Sequence, residues 1–247
     1  MDTAAWYRWF AENEARGSSP QYEALAGAVA DNDELLGWLA QLPAAKQQPN
    51  LLFASVRFLG GRTDSVDALI AFVRSHSDQL ASTMTSRATQ TNEVARCGAF
   101  LPLLAALEGD IALVEVGASA GLCLFPDRYS YTYDGSRVGD SALEISVDTA
   151  GTVSAPSRLP TVTWRAGLDL HPLDVTREND LAWLRACVWP EHDERRRRLD
   201  LAATIVSADP PHIVRGDLRE ATTALVEQAP ADALKVVFHS AVLAYVD

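Results

Sequence analysis

Cysteine is scarce in this chain. Cys97, Cys123 and Cys187 are the three present. None forms a CxxC pair, which argues against a zinc site or a disulfide framework and makes a reducing, cytoplasmic compartment the expected setting. Long apolar runs are missing too. Nothing approaches the ~18 uninterrupted residues that a membrane span needs, so no membrane partner is expected. The N-terminal MDTAAWYRWFAENEARG is too polar to be the core of a signal peptide. Positive charge is in deficit, with 21 Lys and Arg against 33 Asp and Glu and a net charge of -12. That balance disfavours a nucleic-acid backbone as partner. The run Arg195 to Arg198 does not reverse it, because Glu191, Asp193, Glu194 and Asp200 flank it and mark a solvated helix face. Internal repeats and low-complexity tracts are also lacking.

What is present has ordinary globular proportions: 247 residues, 48% hydrophobic and 22% charged. That length holds a helical unit plus an α/β unit. Residues 1–108 read as a helical bundle or cap. Trp6, Tyr7, Trp9 and Phe10 anchor a first helix, and Ser19-Pro20 starts a second. Helices follow over 33–42, 64–80 and 86–107, and between them the apolar segment 50–59 stops at Gly60-Gly61. At Gly109-Asp110 the character changes. IALVEVG (111–117) is a short apolar run bounded by turn residues, which predicts a buried strand. A helix is expected over 118–129, a second strand over 129–135, and one or two β-hairpins near 141–165. Helices at 178–188 and 191–208, a strand at 212–217, a helix at 218–228 and a strand from Leu234 complete residues 109–247. The alternation predicts a Rossmann-like α/β domain with a mostly parallel sheet, preceded by the helical unit.

The turn Glu115-Val-Gly117-Ala118-Ser119-Ala-Gly121 lies between the first strand and the helix expected after it. Small residues let backbone N–H groups approach a ligand, and a helix N-terminus adds a positive dipole end. The letters are not GxGxxG. They match the looser E/D-x-G-x-x-x-G turn of S-adenosylmethionine-dependent methyltransferases. Glu115, Gly117, Ala118, Ser119 and Gly121 are therefore candidate contacts for that small-molecule cofactor; a tight turn with no ligand is the plainer alternative. The same letters spell GxSxG, the nucleophile elbow of α/β-hydrolases, with Ser119 as nucleophile and Asp209 or Asp217 and His239 downstream. The helical character of the upstream residues weighs against that.

Asp134 comes 17 positions after Gly117, a spacing at which an acid can bind ribose hydroxyls. Asp217 ends the strand HIVRGD and is a candidate neighbour of the adenine; the alternative is a helix cap. His239 ends the last strand and is a candidate general base, or else a core histidine. Asn92, Glu93 and Arg96 share one face of a helix and are candidates to line a substrate cleft. The stretch Asp169-Leu-His171 invites a metal reading, but no third ligand is evident and a turn is the better one.

The segments QTNEVARC (90–97), VEVGASAGL (114–122), GLDLHPLDV (167–175), LRACVWPE (184–191), VRGD (214–217) and VVFHSAVLAYV (236–246) together resemble the bacterial family known as domain of unknown function 2332. The resemblance spans nearly the whole chain and implies a divergent methyltransferase-like Rossmann fold. Cys123 stands where Asn is expected after GASAGL. A complete sheet of this type carries further strands, so the end at Asp247 is expected to truncate it. The leading expectation is a methyltransferase-like protein. A non-catalytic small-molecule-binding protein on the same fold is the alternative.

Overall fold

The structure, a computed structural model, describes residues 2–151 and 153–242. Residues 243–246 of the last apolar run lie outside them. The chain forms two compact units: residues 1–91 with 182–196, and residues 92–181 with 197–247. Residues 92–108 thus belong with the α/β unit, and residues 182–196 with the helical one, so the units do not part at 108 as the sequence suggested.

In the helical unit each helix start has a local cause. Asp2 caps α1 (Thr3–Phe10), Ser19 caps α2 (Pro20–Ala30) and Asn32 caps α3 (Asp33–Leu39), each accepting a backbone N–H. Proline opens both α2 and α4 (Pro49–Phe58), where its missing N–H costs nothing. Ser65 caps α5 (Val66–Ser86). Phe53 gathers Tyr7, Phe10 and Tyr22, with ring centroids 4.8 to 6.4 Å away. Trp189 packs on Phe10 and Tyr22 and donates its indole N–H to Asn50 Oδ1 at 2.9 Å. Glu191 accepts from the Ser19 hydroxyl at 2.6 Å and the Gln21 N–H at 2.8 Å. These contacts bind residues 182–196 to this unit.

The α/β unit opens with α6 (Cys97–Ala106), followed by β1 (Asp110–Val116). A small sheet comes next: β2 (Ser130–Tyr133), β3 (Ser136–Val138) and β4 (Glu144–Val147), in the order β3-β2-β4. β5 (Thr161–Asp169) then pairs with β1. The chain passes through α7 (Glu178–Cys187) and α8 (Asp193–Ala208) to β6 (His212–Arg215), α9 (Leu218–Val226) and β7 (Leu234–Phe238). The main sheet has the order β6-β5-β1-β7, and each pairing in it is parallel. This is the mostly parallel α/β architecture that the alternating pattern implied.

Alternation along β1 sorts its side chains. Ala112, Val114 and Val116 face the side covered by α9, where Val114, Val116, Ala166, Leu168 and Leu225 form one core. Ile111, Leu113 and Glu115 take the opposite face. There Phe100 of α6 meets Phe238 of β7, ring centroids 4.9 Å apart.

Two expectations are corrected. The run TVTW is the start of β5, the strand beside β1, and not part of an inserted hairpin. The strand near 129–135 does not join the main sheet. It is β2, whose antiparallel partner β3 follows an Asp134-Gly135 turn with both residues at positive φ (45° and 90°). That pairing of residue types suits a tight hairpin turn.

Candidate functional site

β1 ends in a turn that no helix follows. Gly117, Ser119 and Gly121 have φ of 75°, 54° and 71°, all left-handed. Such residues do not propagate a right-handed helix. The chain instead makes two short 3-10 turns, Leu122–Leu124 and Pro126–Arg128. Arg165 of β5 holds them, donating to the Leu124 carbonyl at 2.9 Å and to both oxygens of Asp127 at 2.9 and 3.1 Å. The helix expected over 118–129 is therefore absent, and with it the helix-dipole argument for an anion at this turn.

The turn's amides are not bare either. Gly117 and Ala118 N–H donate to the Leu168 carbonyl, at 2.7 and 3.1 Å, and Gly121 N–H to the Ala118 carbonyl at 2.7 Å. Ser119 N–H donates to Asp169 Oδ2 at 2.7 Å and Ala120 N–H to Asn92 Oδ1 at 3.3 Å. The small residues serve packing. A Cβ on Gly117 would lie 2.4 Å from Val242 Cβ, and one on Gly167 would lie 2.6 Å from Ala118 Cβ.

Asn92, Glu93 and Arg96 do not share a helix face. α5 stops at Ser86, and the polar residues after it run irregularly into a 3-10 turn, Val94–Arg96. Each reaches a different partner. Asn92 donates to Ser119 Oγ at 2.5 Å as well as accepting from Ala120. Glu93 accepts from its own turn, Ala95 N–H at 3.0 Å, and from Arg198 Nε at 3.1 Å. Arg96 donates to Ser240 Oγ at 3.3 Å, and Ser240 donates to Glu115 Oε1 at 3.1 Å.

Glu115 is the unusual residue. It is buried, and its second oxygen has no hydrogen-bond partner among the described residues. Burial pushes its carboxyl well above the ordinary carboxylate range and the neighbouring Cys123 adds to this, while the Ser240 hydrogen bond and Arg96 pull the other way. It sits where β5 flanks β1 on one side and β7 on the other, the point at which the sheet reverses its direction of growth. In open parallel sheets, ligands bind outside the carboxyl ends of strands at such a point.

The acids sort differently from expectation. Asp134 lies in the hairpin turn of the small sheet, exposed, and accepts from Thr149 N–H at 3.1 Å and from the Thr149 hydroxyl. It does not end a strand of the main sheet. The acid at that place is Asp169, the last residue of β5. Its two oxygens accept from Ser119 N–H and from His171 N–H, each at 2.7 Å. The Asp169-Leu-His171 stretch is thus a turn, and no cluster of three or more metal-ligating side chains occurs among the described residues. Asp217 caps α9, accepting from Arg219 N–H at 2.8 Å, and its carboxylate also pairs with the Arg219 guanidinium. Those bonds hold its pKa down at about 2. His239 follows β7 and is exposed.

The sequence pointed to Asp169 only as part of a turn, and not as a cofactor contact, because it stands 52 positions after Gly117 with the small sheet in between. The one available signal was an acid ending a β-branched run, TVTWRAGLD. Ser240 carried no signal of its own.

Residues 4–247 match a family described as an uncharacterized protein conserved in bacteria, DUF2332. The chain belongs to that family. No curated protein and no solved structure matches this DUF2332 chain. Among its described residues, no helix is long and apolar enough to cross a membrane.

Proposed function

We propose that this DUF2332 chain is a methyltransferase-type protein that binds S-adenosylmethionine across the carboxyl edge of β5, β1 and β7. The supporting observation is Asp169. It ends the strand beside β1, where an acid meets ribose hydroxyls in dinucleotide-binding folds of this layout. Each of its oxygens accepts one backbone N–H, and an ionised carboxylate offers about four acceptor sites. Capacity for two hydroxyls remains. Asp169 takes the role first assigned to Asp134.

The other candidates keep narrower roles. The free oxygen of Glu115 suits the ammonium of the methionine part, and Arg96 suits its carboxylate. Gly117 to Gly121 set the floor through their packing, since their amides are engaged. Asp217 ends the β6 side near the adenine. His239, exposed after β7, is the candidate base for a methyl acceptor. Methyl transfer is chiefly in-line positioning, so few reacting side chains are needed.

A non-catalytic binding protein is the second reading, favoured by the engaged amides and by Val242 packed on Gly117. The hydrolase reading has less support. Ser119 is 6% exposed, and its hydroxyl is held by Asn92. Thermal unfolding with S-adenosylhomocysteine is the test. A raised midpoint that Asp169→Asn removes supports cofactor binding, whereas an unmoved midpoint removes the cofactor from the account. Methyl release from labelled S-adenosylmethionine then separates an enzyme from a binding protein.

A further inference from the structure

The geometry points to a second ligand site, beside the edge strand β6, that takes a small apolar carboxylate with its charged end on Arg215. A cavity of about 330 Å³ opens there between the loop after β5, the end of α8 and β6. That volume is at the small end of ligand pockets. Eight of its twelve lining residues carry apolar side chains, and the other four are the charged Asp174, Arg177, Asp180 and Arg215. Pro172, Pro210 and Pro211 give rigid faces that lose little freedom when a ligand settles on them, and Val206 and Ile213 are in the lining too.

The charged groups at the pocket decide the class of ligand. Asp174 is committed to its own turn, accepting from the Thr176 N–H at 2.9 Å and hydroxyl at 2.6 Å, with Arg177 3.5 Å away. Asp180 accepts the Asp174 N–H at 3.2 Å. These acids build the wall, so a cationic ligand finds no spare partner in them. Arg215 differs. Its backbone is fixed by pairing of β6 with β5, its side chain is exposed, and among the described residues it has no acid within ion-pairing distance. A planar guanidinium beside an apolar hollow matches a planar carboxylate carried on an apolar body. A bare phosphate would leave the apolar walls unused, and a neutral hydrocarbon would leave Arg215 unused.

The pocket adjoins the edge read for the cofactor, since Ala120 of the glycine turn is in its lining and Arg215 stands in register with Asp169, so the acid is titrated separately from S-adenosylhomocysteine. The test is calorimetric titration of the full chain with 3-phenylpropanoate, alongside the neutral 3-phenylpropan-1-ol. Saturable binding of the acid is expected. Replacing the acid by the alcohol, or Arg215 by Gln, should each weaken binding by about tenfold or more, since a charge-assisted contact is lost. Arg215 is exposed, so Arg215→Gln should keep the wild-type melting temperature. Ile213→Phe, which fills the hollow, should abolish binding while Arg215→Gln only weakens it. No saturable binding of 3-phenylpropanoate overturns the inference, as does equal binding by the alcohol or by Arg215→Gln.

Discussion

Asn92 donates to Ser119 and accepts from Ala120, so one amide holds both sides of the turn's midpoint. Asn92→Ala leaves the buried Ala120 N–H without its acceptor. The expected loss is about 1–3 kcal/mol in urea unfolding, the usual desolvation penalty of an unmade buried hydrogen bond. Glu115 and Asp217 titrate with opposite signs. The folded pKa of Glu115 is raised. Below the unfolded value the group adds nothing adverse, and as pH rises toward the folded value the unfolded state loses a proton that the folded state keeps. Stability should fall through that window, and Glu115→Gln should flatten the fall. Asp217 has a folded pKa of about 2. Its contribution is present above the unfolded carboxylate range and is lost as pH drops toward 2, and Asp217→Asn should remove that acid limb. Urea midpoints measured across pH for the two variants check both signs.

At the level of elements, β1, β6 and β7 were legible because their runs are short, apolar or β-branched, and bounded by turns, whereas β5 was expected to be part of a hairpin. β1 and β6 stand within a residue or two of their expected places, and β7 starts where expected. The helix expected after β1 was not there. GASAGLCLF has helical composition, but three left-handed residues stop propagation, and positive φ at Ser119 cannot be read from its letter. β2 was legible as a strand but not as a member of a separate sheet, because partner choice is a tertiary matter. The candidate site inherited both errors. Glu115 and the glycine turn were found from their motif; Asp169 and Ser240 depend on which strands are neighbours. Two glycines at positive φ separate backbone strain from crowding. Gly135 has nothing within 4 Å of an added Cβ, whereas Gly117 faces Val242 at 2.4 Å. Gly135→Ala should cost about 1–2 kcal/mol, the left-handed penalty alone. Gly117→Ala adds overpacking of about 1–3 kcal/mol to that penalty. Denaturant unfolding of the pair tests the difference.

At the level of the whole molecule, the two units exchange segments. The helical unit takes Trp189 and Glu191 from the second half of the chain, and the α/β unit takes Asn92 to Ala106 from the first. A composition shift at Gly109 marked the start of β1 but carried no information about this exchange. A fragment ending at residue 108 should therefore lack a complete helical core. Near-ultraviolet circular dichroism and urea titration of that fragment should show no cooperative transition, whereas the full chain shows one.

The central claim is that this sheet edge recognises a ribose-bearing cofactor through the acid ending β5. Isothermal titration of S-adenosylhomocysteine into the wild-type chain, Asp169→Asn and Asp134→Asn measures it directly. Binding by the wild type and by Asp134→Asn, with loss in Asp169→Asn, is the outcome expected. Heat absent in the wild type, or binding that survives in Asp169→Asn, would contradict it.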